Sequence, residues 1–137
     1  MGTKVEFDAA DIPDEFPLPP MGANVVLELV GVVAEGEDGD TLRSKTGKEM
    51  IRLNFAVVAD GEEYDRYKLS HWLVEPATNL KTKINVKKIG KAFGLSDADM
   101  STGLDFADLI GKTGSAVLKK DTYDGRDNRK IRDFVVA

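Results

Sequence analysis

From Val25 onward, apolar and polar positions alternate with the period of two that a half-buried strand imposes on its side chains. Val25, Leu27 and Leu29 interleave with Val26, Glu28 and Val30 before Gly31 interrupts the run. This predicts a first strand from Val25 to about Glu35. A glycine within such a pattern marks a bulge or bend, the device that lets one strand serve two sides of a small sheet. A polar loop follows over residues 36–48, containing Asp38-Gly39-Asp40, Arg43, Lys45, Gly47 and Lys48. A second strand is predicted from Glu49 to Ala59, with Ile51, Leu53, Phe55 and Val57 on one face and Met50, Arg52, Asn54, Ala56 and Val58 on the other. Asp60-Gly61 reads as a tight turn into a third strand, Glu62 to Leu73. Its alternation sets Tyr64, Arg66, Lys68, Ser70 and Trp72 on one side, opposite Asp65, Tyr67, Leu69, His71 and Leu73.

The period then changes. Val86, Ile89 and Phe93 recur at helical spacing, and Gly94 is a natural stop, so a helix is expected within residues 78–94. A short helical turn is expected from Phe106 to Ile110. Two more strands, Ser115 to Lys120 and Arg129 to Val136, flank Tyr123-Asp124-Gly125-Arg126, whose Asp-Gly pair favours a hairpin. Ahead of all this, four of the five prolines fall within residues 1–22 together with five acids. Proline at that density opposes regular structure and favours an extended chain. Residues 1–22 are therefore expected to form a flexible acidic arm, and residues 23–137 one folded domain.

Composition narrows the chemistry. At 137 residues, with 42% hydrophobic and 31% charged residues, the chain is long enough for one domain with a real core. With no cysteine and a single histidine, His71, disulfides and thiolate or histidine-cluster metal sites are not expected. No apolar run reaches membrane-spanning length, and a cytoplasmic protein without cofactor or membrane partner is the expectation. The net charge of −5 is unevenly spread: residues 1–40 carry ten acids and one base, whereas residues 41–137 carry fourteen acids and eighteen bases. An acidic front thus precedes a basic body, and this asymmetry says more than the average.

A nucleic-acid strand needs cations for its phosphates and flat rings for its bases. The phase of strands two and three brings Arg52, Asn54, Tyr64, Arg66, Lys68 and Trp72 to one side. The first loop adds Arg43, Lys45 and Lys48, and the terminal hairpin adds Lys120, Tyr123, Arg126, Arg129 and Lys130. Trp72 has two readings, core or stacking platform. The helix contributes Lys81, Lys83, Lys87, Lys88 and Lys91, which read first as a solvated face. The carboxylates lie scattered through turns, where they stabilise local structure, and there is no phosphate-cradling glycine loop. An enzyme is not expected.

The order of three strands, a helical insertion and two strands is that of a five-stranded Greek-key barrel of the oligonucleotide-binding type, an all-β fold with its helix between strands three and four. Over about residues 23–136 the chain resembles bacteriophage and prophage single-stranded DNA-binding proteins with that fold. The resemblance is carried by the bend near Gly31, Gly47-Lys48, Ile89-Gly90 and Phe93-Gly94, Leu109-Ile110-Gly111-Lys112, and Tyr123-Asp124-Gly125-Arg126. It implies a non-enzymatic protein that protects or presents single-stranded DNA, or RNA, in replication or recombination. Phage or host replication and recombination proteins would be its partners, and homo-oligomerisation stays open. One departure is that the acidic segment stands at the N-terminal side, whereas bacterial single-stranded DNA-binding proteins carry theirs at the C-terminus. The alternative class is a protein-interaction module with a DNA-mimicking acidic arm, and a strap pinning Phe7 and Phe16 to a neighbouring subunit is a further reading of that arm.

Overall fold

A computed structural model describes residues 2–12, 17–36 and 38–136, with Tyr123 described in its backbone only. Five strands form one antiparallel sheet: β1 (Asn24–Val33), β2 (Met50–Val58), β3 (Lys68–Val74), β4 (Thr113–Tyr123) and β5 (Arg126–Val135). Their order across the sheet is β3-β2-β1-β4-β5, and a single α-helix, α1 (Leu80–Ala92), stands between β3 and β4 in the chain. Two 3-10 turns, Ala9–Asp11 and Phe106–Leu109, complete the regular structure among the described residues. No helix among the described residues is long and apolar enough to cross a membrane.

The alternation along β1 and β2 does what the sequence requires of it. Leu27, Leu29, Leu53, Phe55 and Val57 are fully buried on one face, joined by Leu73, Ile89, Leu109 and Leu118. Phe55 is the centre of this core: its ring lies 6.1 Å from that of Phe93 and 5.8 Å from that of Phe134, both tilted. Truncation of such a ring costs about 3–5 kcal/mol through reduced burial and the cavity left behind. The bend expected at Gly31 is a register shift between β1 and β2: Leu29 pairs with Phe55 and Gly31 with Asn54, leaving Val30 as the extra residue. Helix α1 is capped by the Asn79 side chain, which accepts from the Thr82 N–H at 3.2 Å. Its end packs tightly against β4, since a Cβ on Gly114 would lie 2.6 Å from the Phe93 ring.

The terminal hairpin turns on Asp124 and Gly125, both with positive φ (53° and 75°), the backbone of a two-residue type I′ turn. Its strands reach further than the sequence suggested and pair as far as Tyr123 with Arg126. The third strand, in contrast, begins later. Residues 60–66 form consecutive turns in which Asp65 accepts from the Ala59 N–H at 2.9 Å and Arg66 adopts a φ of 68°. This breaks the alternation expected from Glu62, so the ladder with β2 starts only at Lys68.

β3 and β5 are the two edges of the sheet, and the ladder between them does not close. Side chains nevertheless bring the edges together. The Tyr67 hydroxyl, just ahead of β3, accepts from the backbone N–H of Arg129 at 3.3 Å, and the His71 ring meets Phe134 edge-on at 5.4 Å. Helix α1 contacts β3, β4 and β5.

The end of the N-terminal arm is docked. Pro19 is buried, its carbonyl accepts from Nε of Arg129 at 2.8 Å, and the Gly22 N–H donates to Leu118 at 3.3 Å. Residues 2–12 are exposed throughout, and Phe16 lies outside the described residues.

Candidate nucleic-acid interface

The outer face of β2 and β3 gathers several of the residues marked by the sequence. Across the ladder Arg52 stands directly opposite Trp72, Asn54 opposite Ser70, and Ala56 opposite Lys68. Period-two geometry, with inward Leu53 and Phe55 buried, turns Arg52 and Asn54 outward. Trp72 is 47% exposed, which decides between its two readings against the core. The Arg52 guanidinium carbon lies 5.5 Å from the Trp72 ring centroid, a cation–π contact. Nε of Arg52 is buried and, among the described residues, has no hydrogen-bond partner. Asn54 Oδ1 accepts from the Ser70 hydroxyl at 2.9 Å, fixing the amide on the face.

Other predicted residues occupy different settings. Tyr64 sits in the turn before β3 and packs against the core, so it is not on this face. Arg66, in the same turn, forms an ion pair with Glu28 at 3.1 Å. In the β1–β2 connection, bridges pair Glu35 with Thr41 and Arg43 with Glu49. There Arg43 donates to the Gly47 carbonyl at 3.0 Å and lies 3.6 Å from the Glu49 carboxylate. Lys45 and Lys48 are exposed at the tip of this connection, which adjoins the Met50 and Arg52 end of β2. Lys68 is exposed on β3.

The hairpin is less free than its composition suggests. Lys120 pairs with Asp127 at 3.4 Å, and Lys130 with Asp121 at 3.6 Å. Arg129 is half-buried, its guanidinium directed to the carbonyls of Pro19 and Asn128. Arg126 is exposed beside the turn, whereas the side chain of Tyr123 lies outside the described residues.

A shallow pocket next to Trp72 adds neighbours that sequence reasoning left out: Lys81, Thr82 and Asn85 of α1 join His71 and Trp72 there. No local signal marks Lys81, which reads as one of several helix lysines. His71 contacts Asn85 Oδ1 through Nε2 at 3.1 Å. Burial pushes the imidazole pKa below its ordinary value, against the smaller upward pull of the Asn85 hydrogen bond. The group is thereby favoured neutral, with Nε2 carrying the proton that the contact with Oδ1 requires.

Among the described residues, no three His, Asp or Glu side chains converge to hold a metal ion. The assembled face offers a half-exposed aromatic ring, a guanidinium against it, an amide and flanking lysines. Such a set can stack a flat ring and neutralise an anion beside it. The sequence matches no protein-family model and no curated relative.

Proposed function

We propose that this chain is a non-enzymatic single-stranded DNA-binding protein whose five strands form a barrel of the oligonucleotide-binding type. The sheet order supports the fold reading: β1 lies between β2 and β4, while the edge strands β3 and β5 approach each other through Tyr67, Arg129, His71 and Phe134. Barrels of this kind bind oligonucleotides on the face of strands two and three and on the loops joining strands one to two and four to five. In this chain those are the Arg52–Trp72 face, the Lys45–Lys48 connection and the Arg126 turn. That likeness is an analogy of fold, and the site carries the function.

The observation that carries the reading is the Arg52–Trp72 pair. An exposed tryptophan has a large apolar area in water, and the guanidinium against it has no ion pair among the described residues. A base stacked on the ring covers that apolar area, and a phosphate beside the guanidinium pairs with its charge. Asn54, Lys68 and Lys81 extend the face, and Lys45, Lys48 and Arg126 supply cations around it. The phage or prophage resemblance and a role in replication or recombination belong to this same reading.

Titration of a fluorescent oligonucleotide at two salt concentrations tests it. Binding is expected to quench Trp72 emission and to weaken with salt, by about 0.7 logarithmic units per phosphate contacted. Salt-independent binding, preference for duplex, or unquenched tryptophan would each count against the assignment.

A further inference from the structure

A cleft of about 550 Å³ opens beside α1 and shares no lining residue with the pocket at Trp72. Its apolar wall is built from Ile51 of β2, Val86 of α1, and Met100, Leu104 and Phe106 of the segment that follows the helix. Lys83, Lys87 and Asp97 also line it. Asp97 is shared by Lys87 at 3.6 Å and Lys91 at 3.2 Å, while Lys83 has no ion pair among the described residues. Lys83 and Lys87 stand on the helix side of the cleft, and α1 holds no acid, so that side is basic.

The same chain carries a segment of complementary chemistry. In the N-terminal arm Val5, Phe7 and Ile12 are 76%, 64% and 53% exposed, interleaved with Glu6, Asp8 and Asp11. These are large apolar side chains left in water beside acids, on a segment with little else to bury them. A basic-rimmed apolar cleft and an acid-flanked apolar segment fit each other in both polarity and charge.

The two features lie at opposite ends of the sheet. The arm is anchored at Pro19 by Arg129, whose backbone N–H meets the Tyr67 hydroxyl, and the Tyr67 carbonyl in turn accepts from the N–H of Val57. The cleft is reached at Ile51, six residues back along β2, a distance of about 20 Å at 3.3 Å per residue. The arm thus leaves the molecule at the end away from its own cleft, and its apolar side chains stand in solvent.

We propose that Val5–Ile12 of one copy docks in the α1 cleft of a second copy. The contact is heterologous, arm to cleft, so each docked pair still presents one free cleft, on the copy whose arm is docked, and one free arm, on the other. Such an interface propagates in a line unless the rotation closes it. The proposal concerns self-association without nucleic acid, so its failure and that of the DNA-binding reading are separable.

Sedimentation velocity on the full chain, free of nucleic acid, provides the test. The expected result is concentration-dependent association that weakens as salt screens the acid–lysine attraction. Phe7→Asp on the arm and Lys83→Glu on the rim should each render the chain monomeric while leaving its circular dichroism unchanged. Mixing these two variants should restore pairs, because one supplies the intact cleft and the other the intact arm, but no longer assemblies. A labelled peptide of residues 2–12 should bind the Phe7→Asp chain at least tenfold more tightly than the Lys83→Glu chain. Three results would overturn the proposal. One is a full chain that stays monomeric at high concentration and low salt. Another is association untouched by Phe7→Asp. The third is peptide binding by a chain that never associates, which would place the arm in its own cleft.

Discussion

The β4–β5 hairpin carries six cations and strands β2 and β3 only two, Arg52 and Lys68, yet the two regions offer them differently. On the hairpin Lys120 and Lys130 have Asp127 and Asp121 as cross-strand diagonal partners, and Arg129 is spent on holding Pro19. On the β2–β3 face Arg52 lies against a tryptophan ring, and among the described residues its Nε has no hydrogen-bond partner. What distinguishes a binding cation from a structural one is the register that decides its neighbours. A count of lysines and arginines along the chain cannot make that distinction.

The largest expected effect comes from removing the ring. Trp72→Ala should weaken oligonucleotide binding by about 5- to 150-fold, the range corresponding to roughly 1–3 kcal/mol of base stacking. The melting temperature should barely move, since nearly half of Trp72 is already in water. Isothermal binding and thermal melts on the same protein check both halves, and a collapse of the melt would return Trp72 to the core.

Next comes Arg52→Met. Removing the guanidinium should lower affinity and the salt slope together, the slope by about 0.7 if Arg52 neutralises one phosphate. Stability should hold or rise by up to about 1 kcal/mol, because a buried donor with no partner among the described residues disappears. Opposite signs in binding and in denaturant melts are the signature of a residue kept for its ligand. A decline in both would mark Arg52 as structural.

The hairpin provides the converse experiment. Replacing Asp121 and Asp127 by Asn releases Lys130 and Lys120, so affinity should rise by a few fold and the salt slope should steepen. Surface ion pairs contribute only about 0–1 kcal/mol, so stability should change little. Lys120→Ala in the unmodified chain should have a smaller effect on binding than Arg52→Met. A larger one would reverse the ranking of the two regions.

The smallest effect is on pH dependence. The folded His71 pKa lies below the ordinary value of 6.5, so near and below that value the unfolded chain binds the proton more readily. Stability should be full above the ordinary value and decline as pH falls through it toward the lower folded value. His71→Gln should flatten that part of the profile. The Asp97 and Asp133 carboxyls are held below 3.8, chiefly by hydrogen bonds from Lys91 and Lys88 respectively. Their contribution disappears only in stronger acid, so the two windows separate in a pH series of melts.

Much of the sheet was legible because one of its faces is buried. Ile51, Leu53, Phe55 and Val57 keep a period of two with Arg52 and Asn54 between the first three, and β2 was readable nearly to its ends. The helix was legible from Val86, Ile89 and Phe93. The start of β3 was not, because Tyr64 to Tyr67 continue the alternation by coincidence while Asp65 and the left-handed backbone of Arg66 hold a turn. Arg52 and Trp72 could be phased onto one side from sequence. Pairing could not be foreseen where it depends on residues distant in the chain: Glu28 and Arg66 are 38 residues apart. The α1 cleft had no local signature either, being assembled from β2, the helix and the segment beyond it.

The Arg129–Pro19 contact has a consequence for aggregation. An edge strand exposes unpaired N–H and carbonyl groups to any other extended chain, and proteins guard such edges with prolines, charges and bulges. Around β5 the three devices coincide: the Arg129 side chain holds the Pro19 carbonyl, Arg126, Lys130 and Arg132 are exposed charges, and a register shift leaves Arg132 out of the ladder between Ile131 and Asp133, while the Tyr67 hydroxyl occupies the Arg129 N–H. The docked end of the arm therefore shields a sticky border of the sheet. Shortening the chain as far as residue 12 spares that shield. Cutting through residue 22 removes it and should turn a well-behaved protein into one that forms intermolecular β-structure, visible as thioflavin fluorescence on mild heating.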